Sequence, residues 1–264
     1  AKTSALAEAG INYAMMMLLH TDQDQQWQGD GSIYQILFAG AKIRIMIVDE
    51  AGKISIKKPD QDLFRGALAD AGATEEEQDT IIDSMIDWQD SNDLIRLNGA
   101  EKDQYLDEGR SYGPSNKPFQ VLDELQLVMG MRADLYEKLE PLLTVYSRQS
   151  TANLVKAPKE VLMALPDVDE KTIDNYLAQR AEHNKNGLPP PDFPFASGGR
   201  GGSSNVFTII AEAQLPNGVT GKTKAVIRKG RSRRQIPFKI LEWEATPMSE
   251  DSLFASFNDG LVIN

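Results

Sequence analysis

The chain has 264 residues, a formal net charge of −11 and no cysteine. The lack of cysteine excludes disulfide bonds and thiolate zinc sites. The excess of carboxylates argues against a nucleic-acid-binding surface, because that affinity depends on lysine and arginine neutralising phosphates. With 41% hydrophobic residues, the chain can bury a core as one large domain or as two small ones.

A helix and a β-hairpin are predicted at the start of the chain. Residues 1–20 are rich in helix formers and amphipathic, and residues 21–32 are polar and are predicted to form a loop. Isoleucine then alternates with other residues over 42–49, which is typical of a strand. Residues 50–52 are predicted to form the turn and residues 53–56 the returning strand.

The hydrophobic period changes to that of helices in the next region. Thr74 and Glu77 form a capping-box pattern, which predicts a helix start. The apolar stripe of this helix leaves Asp79, Asp83 and Asp87 on the opposite, polar face.

Four further helices form two helix–turn–helix units that could pack into one small domain. They are predicted over residues 122–129 and 132–140, from Pro158, and from Asp169 to about Arg180. The whole helical block is assigned to residues 60–186, after a first segment, residues 1–59, that holds the N-terminal helix and hairpin.

Strand patterns return after a linker rich in proline, glycine and serine at 187–204, which we expect to be flexible. Strands are predicted over 206–214, 222–228 and 235–245, with Asn217-Gly218 as a hairpin turn. Residues 205–246 hold these strands, and residues 247–264 form a C-terminal tail without a clear pattern.

These elements predict an α+β fold. Strands before and after the helical block could complete one antiparallel sheet that packs on the first helix. The block would then be a large all-α insertion into that sheet.

Carboxylates crowd the loop that follows the capped helix, at Asp87, Asp90, Asp93 and Glu101. Such groups repel one another unless water or a cation lies between them, and calcium takes several oxygen ligands from loops of this kind. The span from Asp90 to Glu101 has the length of an EF-hand loop, but Leu94 and Ile95 occupy positions that need a ligand and a glycine. The residues alone leave two interpretations open: a solvated acidic face, or a calcium site of another type.

Two other classes of function can be considered from the residues. The helix–turn–helix units are similar to helix-hairpin-helix modules that bind DNA backbone, but Asp167 and Asp169 stand where a phosphate would bind. A calcium-dependent hydrolase with an unrecognised carboxylate pair is the third hypothesis. Only His20 and His183 are histidines, and neither belongs to a catalytic-triad pattern, so no enzyme is predicted.

An ordered series of short motifs from about residue 40 to 245 resembles the minor pseudopilin K family of bacterial type II secretion systems (general secretion pathway protein K). The matching motifs are Val48-Asp-Glu-Ala-Gly-Lys-Ile54, Ile86-Asp-Trp-Gln-Asp90, Gly99-Ala-Glu101 with Tyr105, Leu122-Asp-Glu-Leu125 with Val128 and Gly130-Met131, Ala157-Pro158 with Glu160-Val-Leu162, and Leu241-Glu-Trp243. Two features depart from the family pattern. Asn153-Leu-Val-Lys-Ala-Pro158 stands where the family has Asn-x-Asn-Thr-Ala-Pro, and no segment has the roughly 20 apolar residues of a spanning helix.

The resemblance implies a pilin-like fold with a helical insertion, in a non-enzymatic subunit at the tip of a periplasmic pseudopilus. It implies complexes with minor pseudopilins I and J, and attachment to the inner membrane only through an N-terminal helix that this chain lacks. No nucleic-acid partner is predicted, because of the charge and the aspartates in the turns. The resemblance also implies calcium binding, for which Asp87, Asp90, Asp93 and Glu101 are the candidate ligands, with backbone carbonyls near Asn98.

Overall fold

The computed structural model describes residues 1–22, 24–147, 149–195, 204–230, 236–245, 252–254 and 262–263. Residues 196–203 of the predicted linker at 187–204, and most of the predicted tail at 247–264, therefore lie outside the described residues. The chain divides into two compact units. The sheet unit comprises Ala1–Gly52, Asn153–Lys159 and Asp169–Asn264, and the helical unit comprises Lys53–Ala152 and Glu160–Val168.

The helices and strands follow one another in the order helix, strands, helical block, strands. The α-helices are α1 (Lys2–Leu18), α2 (Gln61–Ala71), α3 (Glu75–Gln89), α4 (Lys102–Asp107), α5 (Ala133–Leu139), α6 (Lys159–Met163) and α7 (Glu170–Lys185). The strands are β1 (Asp30–Phe38), β2 (Ala41–Asp49), β3 (Ile54–Ser55), β4 (Leu143–Thr144), β5 (Val206–Gln214), β6 (Thr220–Lys229), β7 (Phe238–Glu244) and β8 (Val262–Ile263). Within the described ranges, no helix combines the length and the apolarity needed to cross a bilayer.

The main sheet joins strands from before and after the helical block, as predicted. Its order is β7-β6-β5-β2-β1-β8, and β2 pairs directly with β5, so that Ile45 lies opposite Ala211. Five strands are antiparallel to their neighbours, whereas β8 runs parallel to β1. The predicted α+β fold, with a helix packed on an antiparallel sheet, is confirmed. The insertion is mainly helical but also contains the short strands β3 and β4.

Helix α1 covers one face of this sheet and forms its core with it. Gly10 allows the close approach, because a Cβ atom there would lie 2.9 Å from Ile43 and 3.1 Å from Ala211. The buried isoleucines of β2 and the buried residues of α1 belong to the same hydrophobic cluster. The isoleucine alternation seen in the sequence is therefore the core face of β2.

The predicted hairpin over residues 42–56 is wrong. Strand β2 pairs instead with β1, a strand that the sequence interpretation missed. At the end of β2, the Asp49 carboxylate accepts a hydrogen bond from the Ala51 amide at 2.9 Å, and Glu50–Gly52 forms a 3₁₀ helix. This local turn sends the chain away from β2, and β3 pairs in parallel with β4 in a separate two-stranded sheet.

The hairpin turn between β1 and β2 offers a test of the pairing of these two strands. Ala39 and Gly40 both have positive φ, at 50° and 78°, and such two-residue turns match the twist of antiparallel strands. Left-handed backbone costs an L-residue roughly 1–2 kcal/mol, and asparagine tolerates it better than alanine. We expect Ala39→Asn to raise the free energy of unfolding by about 0.5 kcal/mol in urea denaturation.

Gly40→Ala is the matched control in the same turn. A Cβ atom at Gly40 meets no other atom within 4 Å, so the substitution changes backbone strain alone. It should lower the free energy of unfolding by about 1 kcal/mol. Equal and opposite results, with Ala39→Asn destabilising and Gly40→Ala stabilising, would contradict this turn.

The helical unit agrees with the sequence in part. Helix α3 has the predicted capping box, in which the Glu77 amide donates to Thr74 Oγ1 at 3.3 Å and the Thr74 amide donates to Glu77 at 2.8 Å. Helices α2 and α4 were not predicted. The predicted helix over 122–129 is a 3₁₀ helix, Leu122–Leu127, which ends where Val128 becomes extended.

Helix α7 begins at the predicted cap, where Asp169 accepts from the Thr172 amide at 3.0 Å, and continues beyond Arg180. It clusters with the sheet unit, although it lies within the segment 60–186 that the sequence assigned to the insertion. The two predicted helix–turn–helix units thus do not form one compact domain. Arg180 is buried in the sheet unit and donates to the carbonyls of Val155 and Ala157 at 3.2 and 2.7 Å.

Candidate functional site

Helix α3 places the first candidate ligand in the interior of the helical unit. Ile81, Met85 and Trp88 are buried along one face of the helix. Asp87, which the helical pattern placed on the polar face, has no exposed side-chain area. Its burial is the main difference from the predicted site. An ionised carboxylate is costly to bury without charge partners.

The loop after α3 folds back over Asp87. The Arg96 amide donates to Asp87 Oδ2 at 3.2 Å, while Arg96 Nε stands 3.7 Å from Oδ1, beyond hydrogen-bonding distance. Gly99 is needed at the closest approach, because a Cβ atom there would lie within 2 Å of Asp87 Oδ2. A side chain at this position would displace the loop from the carboxylate.

Asp83 is a residue of this region that the candidate set did not include. Its Oδ2 accepts from the backbone amide and the side-chain amide of Asn98, at 3.1 and 3.3 Å. Asp83 therefore holds the same loop one helical turn before Asp87. The spacing of Asp83 and Asp87 along one helix was the sequence signal for this role.

Glu101 lies just before α4 and is also buried, with 5% of its surface exposed. Burial, together with the nearby charges of Asp87, Asp90 and Asp93, raises the pKa of its carboxyl to about 7. Burial also raises the pKa of Asp87. The four predicted residues are thus close enough to repel one another.

The two buried carboxylates each have an oxygen without a hydrogen-bond partner. In the part of the chain that the structure describes, buried side-chain atoms without a partner are Ser84 Oγ, Asp87 Oδ1, Trp88 Nε1, Glu101 Oε1 and Thr220 Oγ1. All except the last belong to α3 or to the start of α4. Buried polar groups are normally paired, so these atoms set this region apart from the rest of the described interior.

The two remaining candidates lie nearer to solvent. Asp93 is exposed, and Asp90 is half-buried with its Oδ1 accepting from the Asn92 amide at 3.1 Å. Among the described residues, no three carboxylates stand in an arrangement that already forms a metal-binding group. The site is therefore a buried pair, Asp87 and Glu101, with Asp90 and Asp93 at its rim.

Aromatic side chains of α3 and α4 pack against one another in the same unit. Trp88 stacks on Phe119 with ring centroids 6.3 Å apart and is tilted against Tyr105 at 5.9 Å. Tyr105 is fully buried, and its hydroxyl accepts from the Met129 amide at 2.9 Å. Burial is the main cause of the upward pKa shifts of Asp87 and Glu101.

Groups at both hairpins that could contact a phosphate are already in use within the protein. The Met129 amide is already bonded to Tyr105, and the Asp169 carboxylate caps the start of α7. A phosphate at either turn would have to displace these partners, and at the second turn it would meet a negative charge. The geometry gives no support to the nucleic-acid alternative.

Comparison with known proteins adds an independent observation. Residues 45–148 match the family model described as type II secretion system (T2SS), protein K. Type II secretion system protein K of Pseudomonas aeruginosa is 30% identical over 151 residues, which cover 53% of this chain and 45% of that protein. The Klebsiella pneumoniae protein of the same description is 28% identical over 142 residues, covering 51% of this chain and 43% of that protein.

Over residues 45–148 the chain is similar to the type II secretion system protein K family. The alignments cover less than half the length of these two relatives. The K-family region, residues 45–148, begins within β2 and contains Asp87, Glu101 and the loop between them. The candidate site is thus inside the part of the chain that carries the family match.

A chain in a solved structure has a similar fold. The crystal structure of the GspK-GspI-GspJ complex from the enterotoxigenic Escherichia coli type 2 secretion system contains a chain that matches with a TM-score of 0.51 at 17% identity. The match covers 92% of this chain and 93% of that one. At this identity the likeness supports the fold alone.

Proposed function

We propose that the chain is the periplasmic part of a minor pseudopilin, anchored in the inner membrane by a preceding helix and located at the tip of the type II secretion pseudopilus. The observation that carries the proposal is the K-family match over residues 45–148, which includes most of the helical unit. In this role the chain is a structural subunit and not an enzyme. It takes part in protein export by assembling with minor pseudopilins I and J.

The outer face of α1 supports an assembly role. Tyr13, Met16 and Leu19 are exposed large apolar side chains on the helix that packs on the sheet. Since they are not used by the core, they are available to the helices of partner subunits. The K protein of the solved complex is found with I and J proteins, and we extend that partnership to this chain.

We expect the isolated chain to be monomeric and to form a stable heterotrimer when it is mixed with its I-type and J-type partners. A specific interface of this kind should bury roughly 1,000 Å² or more, so the complex should survive gel filtration with light scattering at micromolar concentration. Placing a charge in the middle of the interface should weaken it strongly. Met16→Glu should therefore lower the affinity at least about tenfold.

Val121→Glu is a matched control, because Val121 and Met16 have the same exposed fraction, 53%, and Val121 lies in the helical unit. This variant should assemble like the wild type. Absence of any complex would count against the proposed function. An equal loss of affinity in both variants would count against α1 as the contact surface.

We further propose that a calcium ion binds at the acidic loop. The residues fit a hard cation, because Asp87 and Glu101 each have a buried carboxylate oxygen without a partner. These two residues would supply the inner ligands, Asp90 and the carbonyls near Asn98 would complete the site, and Asp93 would add charge at the rim. When bound, calcium supplies positive charge that offsets the repulsion among the carboxylates and fixes the loop to α3.

A further inference from the structure

One end of the sheet unit gathers the start of α1 and two hairpin turns. The β1–β2 and β5–β6 turns are neighbours there, because Lys42 pairs with Gln214 and Gln214 pairs with Thr220. Helix α1 begins at the same end, where a Cβ atom on Gly221 would lie 2.6 Å from Thr3 Oγ1. We refer to residues 37–42, residues 215–222 and the first turn of α1 as the turn end.

The turn end exposes large apolar side chains. Leu37, Phe38 and Val219 have 77%, 54% and 52% of their surfaces exposed. All three lie in or beside the turns, outside the hydrophobic cluster under α1. Exposed apolar side chains in one place are a mark of an interaction surface.

The charge at the turn end differs in sign from the charge of the whole chain. Lys2, Lys42 and Lys222 lie at this end, and there is no aspartate or glutamate in residues 1–7, 36–43 or 213–225, although the net charge is −11. The nearest carboxylates in sequence or in strand pairing lie farther along their elements. They are Glu8 on α1, Glu212, which is buried and accepts from the Leu253 amide at 2.6 Å, and Glu244, which lies opposite Lys224.

We propose that the turn end contacts an anionic phospholipid surface. Leu37, Phe38 and Val219 would enter the interface between headgroups and acyl chains, and Lys2 and Lys42 would face lipid phosphates. The proposal rests on the proposed function in one respect: an anchoring helix that continues into α1 would leave the membrane at this end. Apolar tips together with lysines fit the charge and polarity of such a surface, whereas carboxylates would be repelled by it.

A second group of exposed apolar side chains differs from the turn end in its charge, and this difference makes the turn end the better lipid contact. Leu94, Ile95 and Leu97 are also strongly exposed, but their loop carries Asp90 and Asp93 and is held by Asp83 and Asp87. An anionic bilayer would repel this loop. It therefore serves as a control of equal apolarity and opposite charge.

Site-specific fluorescence tests the contact directly. Because the chain has no cysteine, Val219→Cys and Leu97→Cys can each carry one environment-sensitive dye. With vesicles of phosphatidylcholine containing about 30% phosphatidylglycerol, the dye at residue 219 should shift to shorter wavelength and the dye at residue 97 should not. The shift should vanish with phosphatidylcholine alone and at about 0.5 M salt, since exposed charges are then screened.

Vesicle sedimentation with charge variants completes the test. Lys42→Glu should lower the binding constant at least about fivefold, whereas Lys58→Glu, which makes the same charge change in the helical unit, should leave it unchanged. Equal dye shifts at residues 219 and 97, or equal losses in the two lysine variants, would overturn the proposal. If Phe38→Ser abolishes assembly with I and J but leaves vesicle binding intact, the turn end is a protein contact and the lipid assignment is wrong. A chain that binds vesicles but no partners would refute the proposed assembly and not this surface.

Discussion

Calcium should stabilise the chain, and Glu101→Gln should remove that response while making the calcium-free protein more stable. A ligand that binds only the folded state at one hundred times its dissociation constant adds about 2.7 kcal/mol to the free energy of unfolding. We expect the melting temperature of the helical unit to rise by about 5–10 °C. Trp88 fluorescence can follow this transition, because its ring contacts Tyr105 beside the site.

In the calcium-free protein, Glu101→Gln should raise the melting temperature, because it removes the repulsion at Glu101. Burial and the charges of Asp87, Asp90 and Asp93 all raise the pKa of Glu101, so its ionised form is unfavourable in the folded chain. A neutral glutamine of the same shape removes that cost, and the variant should melt above wild type in EDTA. Magnesium should replace calcium poorly, since it demands a smaller octahedral shell and retains its waters.

Glu137→Gln is the control for this experiment, because Glu137 is an exposed glutamate of the same unit, on α5. It should respond to calcium as the wild type does. Gly99→Ala should abolish the response without removing any carboxylate, because its methyl group would push the loop away from Asp87. If wild type and Glu101→Gln melt alike in calcium and in EDTA, the calcium assignment fails and the acidic loop is a solvated face.

The elements that could be predicted from the sequence are those whose signals are local. Strand β5 was predicted with its observed bounds, 206–214, because alternation and the Asn217-Gly218 turn both lie within a few residues of it. The capping box of α3 is equally local. In contrast, the partner of β2 depended on the choice between two nearby turns, and the Asp49 side chain decides that choice by bonding the Ala51 amide.

The sequence predicted which residues form the candidate site but not which of them are buried. The pattern of α3 gave the position of Asp87 on the helix, and a polar residue there is normally solvated. The loop that contributes to its burial, near Gly99, is brought there by tertiary structure. The sequence therefore placed four carboxylates together and could not distinguish the buried pair from the rim.

Removing the ion pair between Lys156 and Asp49 should have the largest effect of any single substitution considered. Lys156 Nζ lies 2.5 Å from Asp49 Oδ2, and the aspartate side chain is fully buried. In the sequence, Asp49 comes just before the main part of the helical unit and Lys156 just after it. Lys156→Met would leave a buried carboxylate without its counter-charge, which should lower the free energy of unfolding by about 3 kcal/mol.

A double variant distinguishes the effect of losing the ion pair from any other destabilising effect of the substitution at Lys156. Asp49→Asn combined with Lys156→Met removes both charges and keeps an acceptor for the Ala51 amide, so it should recover most of the stability that Lys156→Met loses in urea denaturation. Lys159→Met is the matched control, because Lys159 pairs with Glu170 and Asp174 at 2.9 and 2.8 Å on an exposed surface. Lys159→Met should lower the free energy of unfolding by less than about 1 kcal/mol, since exposed ion pairs contribute little. Equal losses at Lys156 and Lys159, or a double variant less stable than Lys156→Met, would show that the buried charge of Asp49 is not what the lysine stabilises.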